Sequence, residues 1–260
     1  PPRSTLFPYT TLFRSTVESM DTLMAGGAIR QSEVIELNGR GERLGLRPEL
    51  TASIARAAVT RISHYPQRLY YHANVFRRSS TGSQGGQQES YQAGVELLGA
   101  SGSLADAEVL LIMADCLKAL GVQDWHLLLS EASLTGSLLA PFPAEVRERV
   151  KVAIATLDQV TLETLPLSDT LHTLALAIMD LRGEPRTVLT KVSQLDLNDQ
   201  QRQIVSDLKN LIDLLESTCT ENSPKLVLDL SLMQTFEYYT GVVFENSALH
   251  GLGWLPGVGF

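Results

Sequence analysis

The sequence contains few of the residues, and none of the spacings, that common metal and disulfide sites require. Only two cysteines, Cys116 and Cys219, occur in 260 residues, and they form no CxxC pair. This pattern excludes a disulfide-stapled secreted domain and predicts two reduced thiols in a cytoplasmic protein. The five histidines show neither HxxxH nor HxxE spacing, so no metal site is predicted.

Phosphate-binding loops and long apolar runs are absent as well. The chain has no GxxxxGK[ST] motif, no GxGxxG motif after a strand, and no GxSxG motif around a nucleophilic serine. The common nucleotide-binding loops are therefore excluded, and no cofactor is predicted. No apolar run approaches the ~18 residues that a membrane span needs, so no membrane partner is expected.

Positive charge is also scarce in this chain. Its 21 Lys and Arg residues are outnumbered by 29 Asp and Glu residues, which gives a formal net charge of -8. Nucleic-acid affinity comes largely from basic side chains that neutralise phosphates, so no nucleic-acid partner is predicted. The hydrophobic content of 44% is enough for a buried core in one or two domains.

The two ends differ in composition from the rest of the chain. Residues 1–15, "PPRSTLFPYTTLFRS", match neither a signal peptide nor a helix pattern and resemble translated sequencing-adapter text. We expect them to be non-native and without function. Residues 247–260 turn abruptly glycine-rich after a strand, as a truncated or frame-shifted reading frame would, and we expect a disordered tail.

The first half of the chain predicts two hairpins and a helix. "EVIEL" and "RLGLR" flank "NGRG", where Asn38-Gly39 suits a tight turn. Thr51 is the predicted N-cap of the helix that follows. "RLYYHANVFR" and "YQAGVELLG" predict a second antiparallel hairpin, which is joined by the polar loop "RSSTGSQGGQQES".

The second half predicts helices inserted into a sheet. A helix from about Leu104 to Leu120 ends at Gly121, and "WHLLLS" follows as a strand. Residues 132–222 alternate leucine-rich helical periods with proline breaks, whereas "KLVLDLS" and "GVVFE" are strand-like again. The predicted fold class is therefore α+β, with an all-helical insertion at 132–222 between a first part at 16–131 and a resumed part at 223–246.

Several polar side chains lie on or beside these strand-like segments. In "YQAGVELLG", Gln92 and Glu96 project to one face, and Gly94 leaves space between them. From the residues alone, a small polar pocket and a solvated sheet face both remain open, and periodicity favours the solvated face. The other members of this polar set are Glu49, Thr51, Arg77, Tyr238 and Tyr239.

Four motifs in order, "LRPELT", "YYHANVFRR", "YQAGVELLG" and "FEYYTGVVFE", resemble the histidyl-tRNA synthetase-like branch of the class II synthetases. The resemblance covers about residues 16–246 and is greatest to the ATP phosphoribosyltransferase regulatory subunits, a non-catalytic family of histidine biosynthesis. It implies an antiparallel six-stranded sheet flanked by helices. It also implies a homodimer within a hetero-octamer that contains the short-form ATP phosphoribosyltransferase catalytic subunit.

The same resemblance implies a pocket for L-histidine. It places Glu49 and Thr51 at the α-amino group and Gln92 at the amino and carboxylate ends. It places Glu96 and Tyr239 at the imidazole. Arg77 is retained and binds a ligand carboxylate or pairs structurally. Of the paired tyrosines, one is expected to pack in the core while the other faces the ligand, because successive strand residues point to opposite faces.

Two departures from the synthetases favour a sensor over a catalyst. Gln234 stands where the synthetases carry an arginine that stabilises the α-phosphate, and an amide supplies no fixed positive charge. The loop "SSTGSQGGQQES" contains no basic residue. The expected function is therefore an allosteric, non-enzymatic regulatory subunit, with no catalytic residue. A fragment of a histidyl-tRNA synthetase and a stand-alone amino-acid-binding protein are the alternatives.

Overall fold

The chain divides into two units, Pro1–Ser101 and Gly102–Phe260. The computed structural model describes residues 15–24, 29–38, 41–62, 64–78, 88–218, 224–232, 239–250 and 253–256. Several predictions lie outside these residues. They concern residues 1–14, the turn at Gly39, the loop 79–87, Cys219, Gln234 and Tyr238.

A small three-stranded sheet opens the first unit. Its strands are β1 (Val17–Ser19), β2 (Glu36–Asn38) and β3 (Arg43–Leu46), in the order β1-β3-β2 with antiparallel pairing throughout. Helix α1 (Met20–Met24) and a 3₁₀ turn (Gln31–Glu33) connect β1 to β2. Because β2 pairs with β3 from Asn38 opposite Arg43 onward, the first predicted hairpin is confirmed.

The second predicted hairpin is confirmed over its whole length. Strand β4 (Gln67–Phe76) pairs with β5 (Glu89–Leu98) in antiparallel register. Alternate residues of β4 are buried, as expected for a strand with one face on the core. Helix α2 (Thr51–Arg61) covers that face. The cluster between them contains Leu50, Ile54, Leu69, Tyr71 and Val75.

The prediction that Thr51 caps α2 is wrong. Leu50 occupies the N-cap position, and Thr51 is the first helical residue. The Glu49 carboxylate accepts the backbone N–H of Ala52 instead, at 3.1 and 3.2 Å. A carboxylate at this position satisfies an N–H group that has no partner within the helix and is favoured by the helix dipole.

The second unit is built on a five-stranded sheet with the order β10-β9-β6-β8-β7. Its strands are β6 (Trp125–Glu131), β7 (Arg182–Gly183), β8 (Lys225–Asp229), β9 (Val242–His250) and β10 (Gly253–Pro256). Strands β6 and β8 run parallel, whereas the other neighbours are antiparallel. The described strands thus differ from the six-stranded antiparallel sheet that the resemblance implied.

Seven helices surround this sheet in the described part of the unit. They are α3 (Ser103–Ala119), α4 (Ala132–Leu138), α5 (Ala144–Ala155), α6 (Gln159–Thr164), α7 (Asp169–Met179), α8 (Pro185–Ser193) and α9 (Asp199–Thr218). As predicted, Gly121 follows the end of α3, with a φ of +77° that favours glycine. None of the described helices is long and apolar enough to cross a membrane.

Polar side chains define where these helices begin. Glu131, Asp158, Ser168 and Glu184 each accept a backbone N–H from the first turn of the helix that follows. At the start of α9, Asn198 and Gln201 exchange side-chain-to-backbone hydrogen bonds of 2.9 Å in both directions. Such caps satisfy N–H groups that short helices would otherwise leave unpaired.

The division into units differs from the predicted segments. The boundary between the two units follows Ser101 in the chain. Within the second unit, β6 hydrogen-bonds to β8 and β9, which come after the helices in sequence. Between 132 and 218 the chain is helical apart from the two residues of β7 and the connecting turns. The segments 16–131, 132–222 and 223–246 stay predictions as domains.

The expected disorder of the last segment is not what the described residues show. Strand β9 continues to His250 because its pairing with β6 extends as far as Trp125 opposite Ala248. Strand β10 then pairs with residues 247–250 in a further hairpin. The sequence did not predict this pairing, because glycines interrupt the alternation of apolar and polar residues that indicates a strand.

Gly94 lies opposite Tyr71 in the β4–β5 hairpin, and the two residues fit together closely. A Cβ added to Gly94 would lie 2.5 Å from both Cζ and Oη of Tyr71. The tyrosine is 3% exposed, so its ring has little room to move away. The space above Gly94 that the sequence suggested for a ligand is therefore filled by the Tyr71 ring.

We expect Gly94→Ala to destabilise the protein by about 1–3 kcal/mol, because the added methyl group overpacks a buried ring. Urea unfolding of the 260-residue chain measures this loss. Tyr71→Leu in the Gly94→Ala background should recover part of it, since leucine has no atoms at the Cζ and Oη positions.

The matched control for this prediction is Gly136→Ala. Gly136 lies in α4, and an added Cβ there meets no atom within 4 Å. Alanine is the better helix former by about 1 kcal/mol, so this change should be neutral or stabilising. Equal effects of the two substitutions would contradict the close fit of Gly94 and Tyr71.

Candidate functional site

Five predicted site residues lie in the first unit, where α2 begins against the β4–β5 hairpin. Glu49 precedes α2, Thr51 opens it, and Arg77 follows β4 directly. Gln92 and Glu96 lie on β5. Tyr239 belongs to the second unit, where it is partly buried three residues before β9. Tyr238 lies outside the described residues.

Thr51 and Glu96 are in direct contact. The Thr51 hydroxyl donates a hydrogen bond of 2.8 Å to Oε1 of Glu96, across 45 residues of sequence. This bond joins the first residue of α2 to the sheet face that also carries Gln92. Two of the residues implied for opposite ends of a ligand are thus bonded to each other.

The Glu49 carboxylate is largely enclosed at the start of α2. Burial raises the pKa of this carboxyl above its usual value, and the charge of Glu18 adds to the rise. The N–H groups of Ala52 and Thr51 and the Arg77 guanidinium act to lower that pKa. Because the net direction is upward, the folded protein holds the ionised carboxylate less well than water does.

Arg77 is anchored beside this carboxylate. Its Nε donates a hydrogen bond of 2.8 Å to the carbonyl of Pro48, next to Glu49 in sequence. The Arg77 residue is exposed, so its guanidinium remains accessible to solvent. Its position suits both a structural role, which balances the charge of Glu49, and contact with an anionic group.

Gln92 carries a buried acceptor that the described residues leave unpaired. The residue is 8% exposed, and its Oε1 has no hydrogen-bond partner among them. A buried polar atom without a partner costs about 1–3 kcal/mol. The position therefore suits a donor that arrives with a ligand.

The sequence reasoning missed two residues that shape this region. Tyr71 fills the space over Gly94, which only the hairpin register reveals. Glu18 on β1 is buried, accepts a hydrogen bond from Ser53 and pairs with Arg56 on α2. In the sequence, the contact of Glu18 with α2 was indicated only by the spacing of Ser53 and Arg56, which places both on one face of the helix.

Other polar groups lie on the sheet of the second unit. Within the described residues, Ser130 Oγ, His126 Nδ1 and Asn246 Oδ1 are buried without hydrogen-bond partners. Burial and the nearby charge of Asp229 raise the pKa of the Glu245 carboxyl. No cluster of His, Cys, Asp and Glu side chains in the described ranges has the form of a metal site.

Comparisons with known proteins identify the family. A sequence profile of the family described as histidyl-tRNA synthetase matches residues 7–249. The ATP phosphoribosyltransferase regulatory subunit of Nostoc punctiforme is 60% identical over 240 residues. That alignment covers 91% of this chain and 59% of the relative, so the chain spans less than two thirds of that protein.

Solved structures agree with this assignment. A crystal structure from Bacillus halodurans C, described as an ATP phosphoribosyltransferase regulatory subunit/histidyl-tRNA synthetase, superposes with a TM-score of 0.83 at 28% identity. The match covers 95% of this chain and 65% of that chain. A chain of the ATP phosphoribosyl transferase complex from Thermotoga maritima shares the fold, with a TM-score of 0.70 at 18% identity, over 96% of this chain and 89% of that one.

The predicted fold class is confirmed by these matches. The chain has the α+β fold of the class II synthetases, in which antiparallel strands are flanked by helices. The profile covers the hairpin that carries Gln92 and Glu96, and it covers β6, β7, β8 and β9 as far as residue 249. The chain belongs to the histidyl-tRNA synthetase family.

Proposed function

We propose that this chain is a non-catalytic regulatory subunit of ATP phosphoribosyltransferase, or a large part of one, and that it binds free L-histidine. The relative from Nostoc punctiforme carries that name at 60% identity. The observation on this chain that carries the proposal is the unpaired Oε1 of the buried Gln92, on the sheet face that carries Glu96. The site offers acceptors, which suit the ammonium and imidazole N–H donors of histidine.

The spacing of these acceptors suits a single amino acid. Gln92 and Glu96 are four residues apart on β5, so their Cα atoms are about 13 Å apart. Both side chains project from one face, with the Tyr71 ring between them. A ligand that reaches both residues would lie against this ring, with its ammonium group toward Glu49. The role implied for Tyr239 at the imidazole stays a prediction, as does the expectation that one of Tyr238 and Tyr239 packs in the core.

The sequence supports binding without catalysis, because it has neutral residues at positions where the synthetases carry positive charge. Activation of histidine develops charge on the α-phosphate of ATP, and a synthetase stabilises that charge with fixed positive groups. Gln234 offers a neutral amide at the position implied for an arginine, and the segment 79–90 contains no basic residue. By this resemblance, the sequence lacks positive charge at two positions where the synthetases use it for adenylate formation.

The partner is proposed to be the short-form catalytic phosphoribosyltransferase, within a cytoplasmic hetero-octamer that contains a dimer of this subunit. A regulatory subunit acts only through such a partner, and coupling between histidine and the partner must be reciprocal. A coupling free energy on the order of 1–3 kcal/mol is typical of such systems. Co-purification with the catalytic subunit tests this pairing against a stand-alone amino-acid-binding protein.

We expect the chain to catalyse no histidine-dependent exchange of pyrophosphate into ATP. The physical reason is the missing positive charge at Gln234 and in the segment 79–90 of the sequence. Isotope exchange with an authentic histidyl-tRNA synthetase as positive control measures this activity. Exchange above background would support the alternative, a fragment of a histidyl-tRNA synthetase.

Glu96→Ala should weaken histidine binding by roughly 10- to 150-fold, because an enclosed N–H group of the ligand loses a charged acceptor worth about 1.5–3 kcal/mol. Glu96→Gln should be milder, since its amide oxygen still accepts bonds from Thr51 and from the ligand. Calorimetric titration of L-histidine into the 260-residue chain measures both affinities.

Glu89→Ala is the matched control for this experiment. Glu89 lies on the same strand, but an odd number of residues from Glu96, so it projects from the opposite face. Glu89 is exposed, and its side chain contacts Asn74. Histidine affinity should be unchanged in this variant. If wild type binds and Glu96→Ala binds equally well, Glu96 does not contact the ligand.

Histidine affinity should also fall on acidification through the titration of Glu49. Its pKa is raised by burial and by Glu18 and lowered by the neighbouring N–H groups and Arg77. Since only the ionised carboxylate attracts an ammonium group, the advantage of wild type over Glu49→Gln should shrink as pH falls toward and below this raised pKa. Titration of the free imidazole near pH 6.5 affects both proteins alike and cancels in the ratio.

The stability of the empty protein provides the control for Glu49. A carboxyl whose folded-state pKa is raised contributes stability below its unfolded pKa and loses it as pH rises through the folded pKa. Glu49→Gln, whose amide oxygen still accepts the Ala52 N–H, should therefore be at least as stable as wild type at pH 7. A clear loss of stability there would assign Glu49 to structure rather than to binding.

A further inference from the structure

Glu18 is a buried carboxylate on the short strand β1 of the first unit. Its residue is 7% exposed, and its side chain is 4% exposed. Oε1 accepts a hydrogen bond of 2.8 Å from the hydroxyl of Ser53, and Oε2 pairs with the guanidinium of Arg56. Both partners belong to α2, so this carboxylate is a polar anchor between β1 and that helix.

Helix α2 is thereby fixed on two sides. Thr51 donates to Glu96 of β5, whereas Ser53 donates to Glu18 of β1. Residues that are two positions apart in a helix, such as Thr51 and Ser53, lie about 200° apart around its axis. The two bonds therefore act in nearly opposite directions. If either bond were lost, one restraint on the rotation of α2 about its axis would be lost with it. The apolar contact of the helix with the hairpin would remain.

The charge of Glu18 is balanced by two arginines. Arg56 pairs with it directly. Arg47 is 7% exposed, and burial lowers the pKa of its guanidinium, whereas the charge of Glu18 opposes that lowering. Arg47 in turn donates from Nε to the carbonyl of Asn74 in β4 at 2.8 Å and from Nη1 to the carbonyl of Ser15 at 3.1 Å. A buried carboxylate with such partners is costly to remove, because its partners would be left unpaired.

We propose that Glu18 is a positioning residue for the candidate site: it sets the rotation of α2 and so holds the Thr51 hydroxyl within hydrogen-bond distance of Glu96. Glu18 touches no ligand in this role. It acts through Ser53 and Arg56 on the helix that Thr51 opens. The part of the proposal that concerns affinity rests on the proposed binding of histidine, whereas the anchoring of α2 does not.

Amide hydrogen exchange of the ligand-free chain tests the anchoring directly. Glu18→Ala should accelerate exchange in residues 52–61, and Glu18→Gln should do so less, because its amide oxygen still accepts the Ser53 hydroxyl. Glu36→Gln is the matched control. It weakens the exposed pair of Glu36 with Arg43 in the same small sheet and should leave α2 unchanged. Unchanged exchange of α2 in Glu18→Ala would overturn the proposal.

Histidine affinity tests the connection to the site. We expect Glu18→Ala to weaken histidine binding about tenfold. The loss should be no larger than the loss that Thr51→Ala causes. If Glu18 acts through Thr51, adding Glu18→Ala to Thr51→Ala should change affinity by less than about twofold, because coupled residues are non-additive. If Glu18 had only a structural role, Glu18→Ala and Thr51→Ala would weaken histidine affinity independently, and their fold-changes would multiply. Circular dichroism at the titration temperature confirms that each variant is folded.

The two readouts separate the failure of this inference from the failure of the proposed function. If wild type binds no histidine but α2 loosens in Glu18→Ala, histidine binding is wrong and the anchoring stands. If wild type binds histidine and Glu18→Ala binds equally well, the positioning role is overturned. Fully multiplicative effects of Glu18→Ala and Thr51→Ala would overturn it as well.

Discussion

The candidate site depends on the apolar contact between α2 and the β4–β5 hairpin. Leu50 and Ile54 pack against Leu69, Tyr71 and Val75, and each fully buried side chain of this kind contributes about 1.5–3 kcal/mol. The polar residues lie around this contact and are positioned by it. The bond from Thr51 to Glu96 and the bond from Ser53 to Glu18 then set the rotation of the helix.

Patterns in the sequence predict the elements of this arrangement better than the contacts between them. Alternation was enough for β4, where Leu69, Tyr71 and Val75 are buried on one face. The strand β5 was also predicted, although Gln92 is its one buried residue. Alternation was not enough for the space over Gly94, since only the cross-strand register brings Tyr71 there. Glu18 was missed for a related reason: its partners lie 35 and 38 residues away, beyond any local pattern. The error at Thr51 was also local, because Glu49 takes the role of accepting a first-turn N–H.

Two polar groups of the site, the Glu49 carboxylate and the Gln92 amide, are held at a cost in stability. Burial opposes the ionised form of Glu49, and Gln92 Oε1 has no partner in the described part of the chain. Each condition costs stability that a purely structural arrangement would avoid by substituting apolar residues. Natural proteins retain such costs chiefly where function requires them. The same two residues thus lower stability and support the proposal that a ligand with N–H donors binds here.

This cost also favours a sensor as the proposed function. A ligand can shift a protein between states only by the difference in its affinity for them. In the proposed function a bound histidine would provide such a difference, because its N–H donors would reach the unpaired Oε1 of Gln92 and its ammonium group would favour the ionised carboxylate of Glu49. At a histidine concentration of 100 Kd the bound form would gain about 2.7 kcal/mol relative to any state that cannot bind. That is comparable with the 1–3 kcal/mol of typical coupling between two sites, so the proposed binding of histidine would supply enough free energy for the proposed control of a partner.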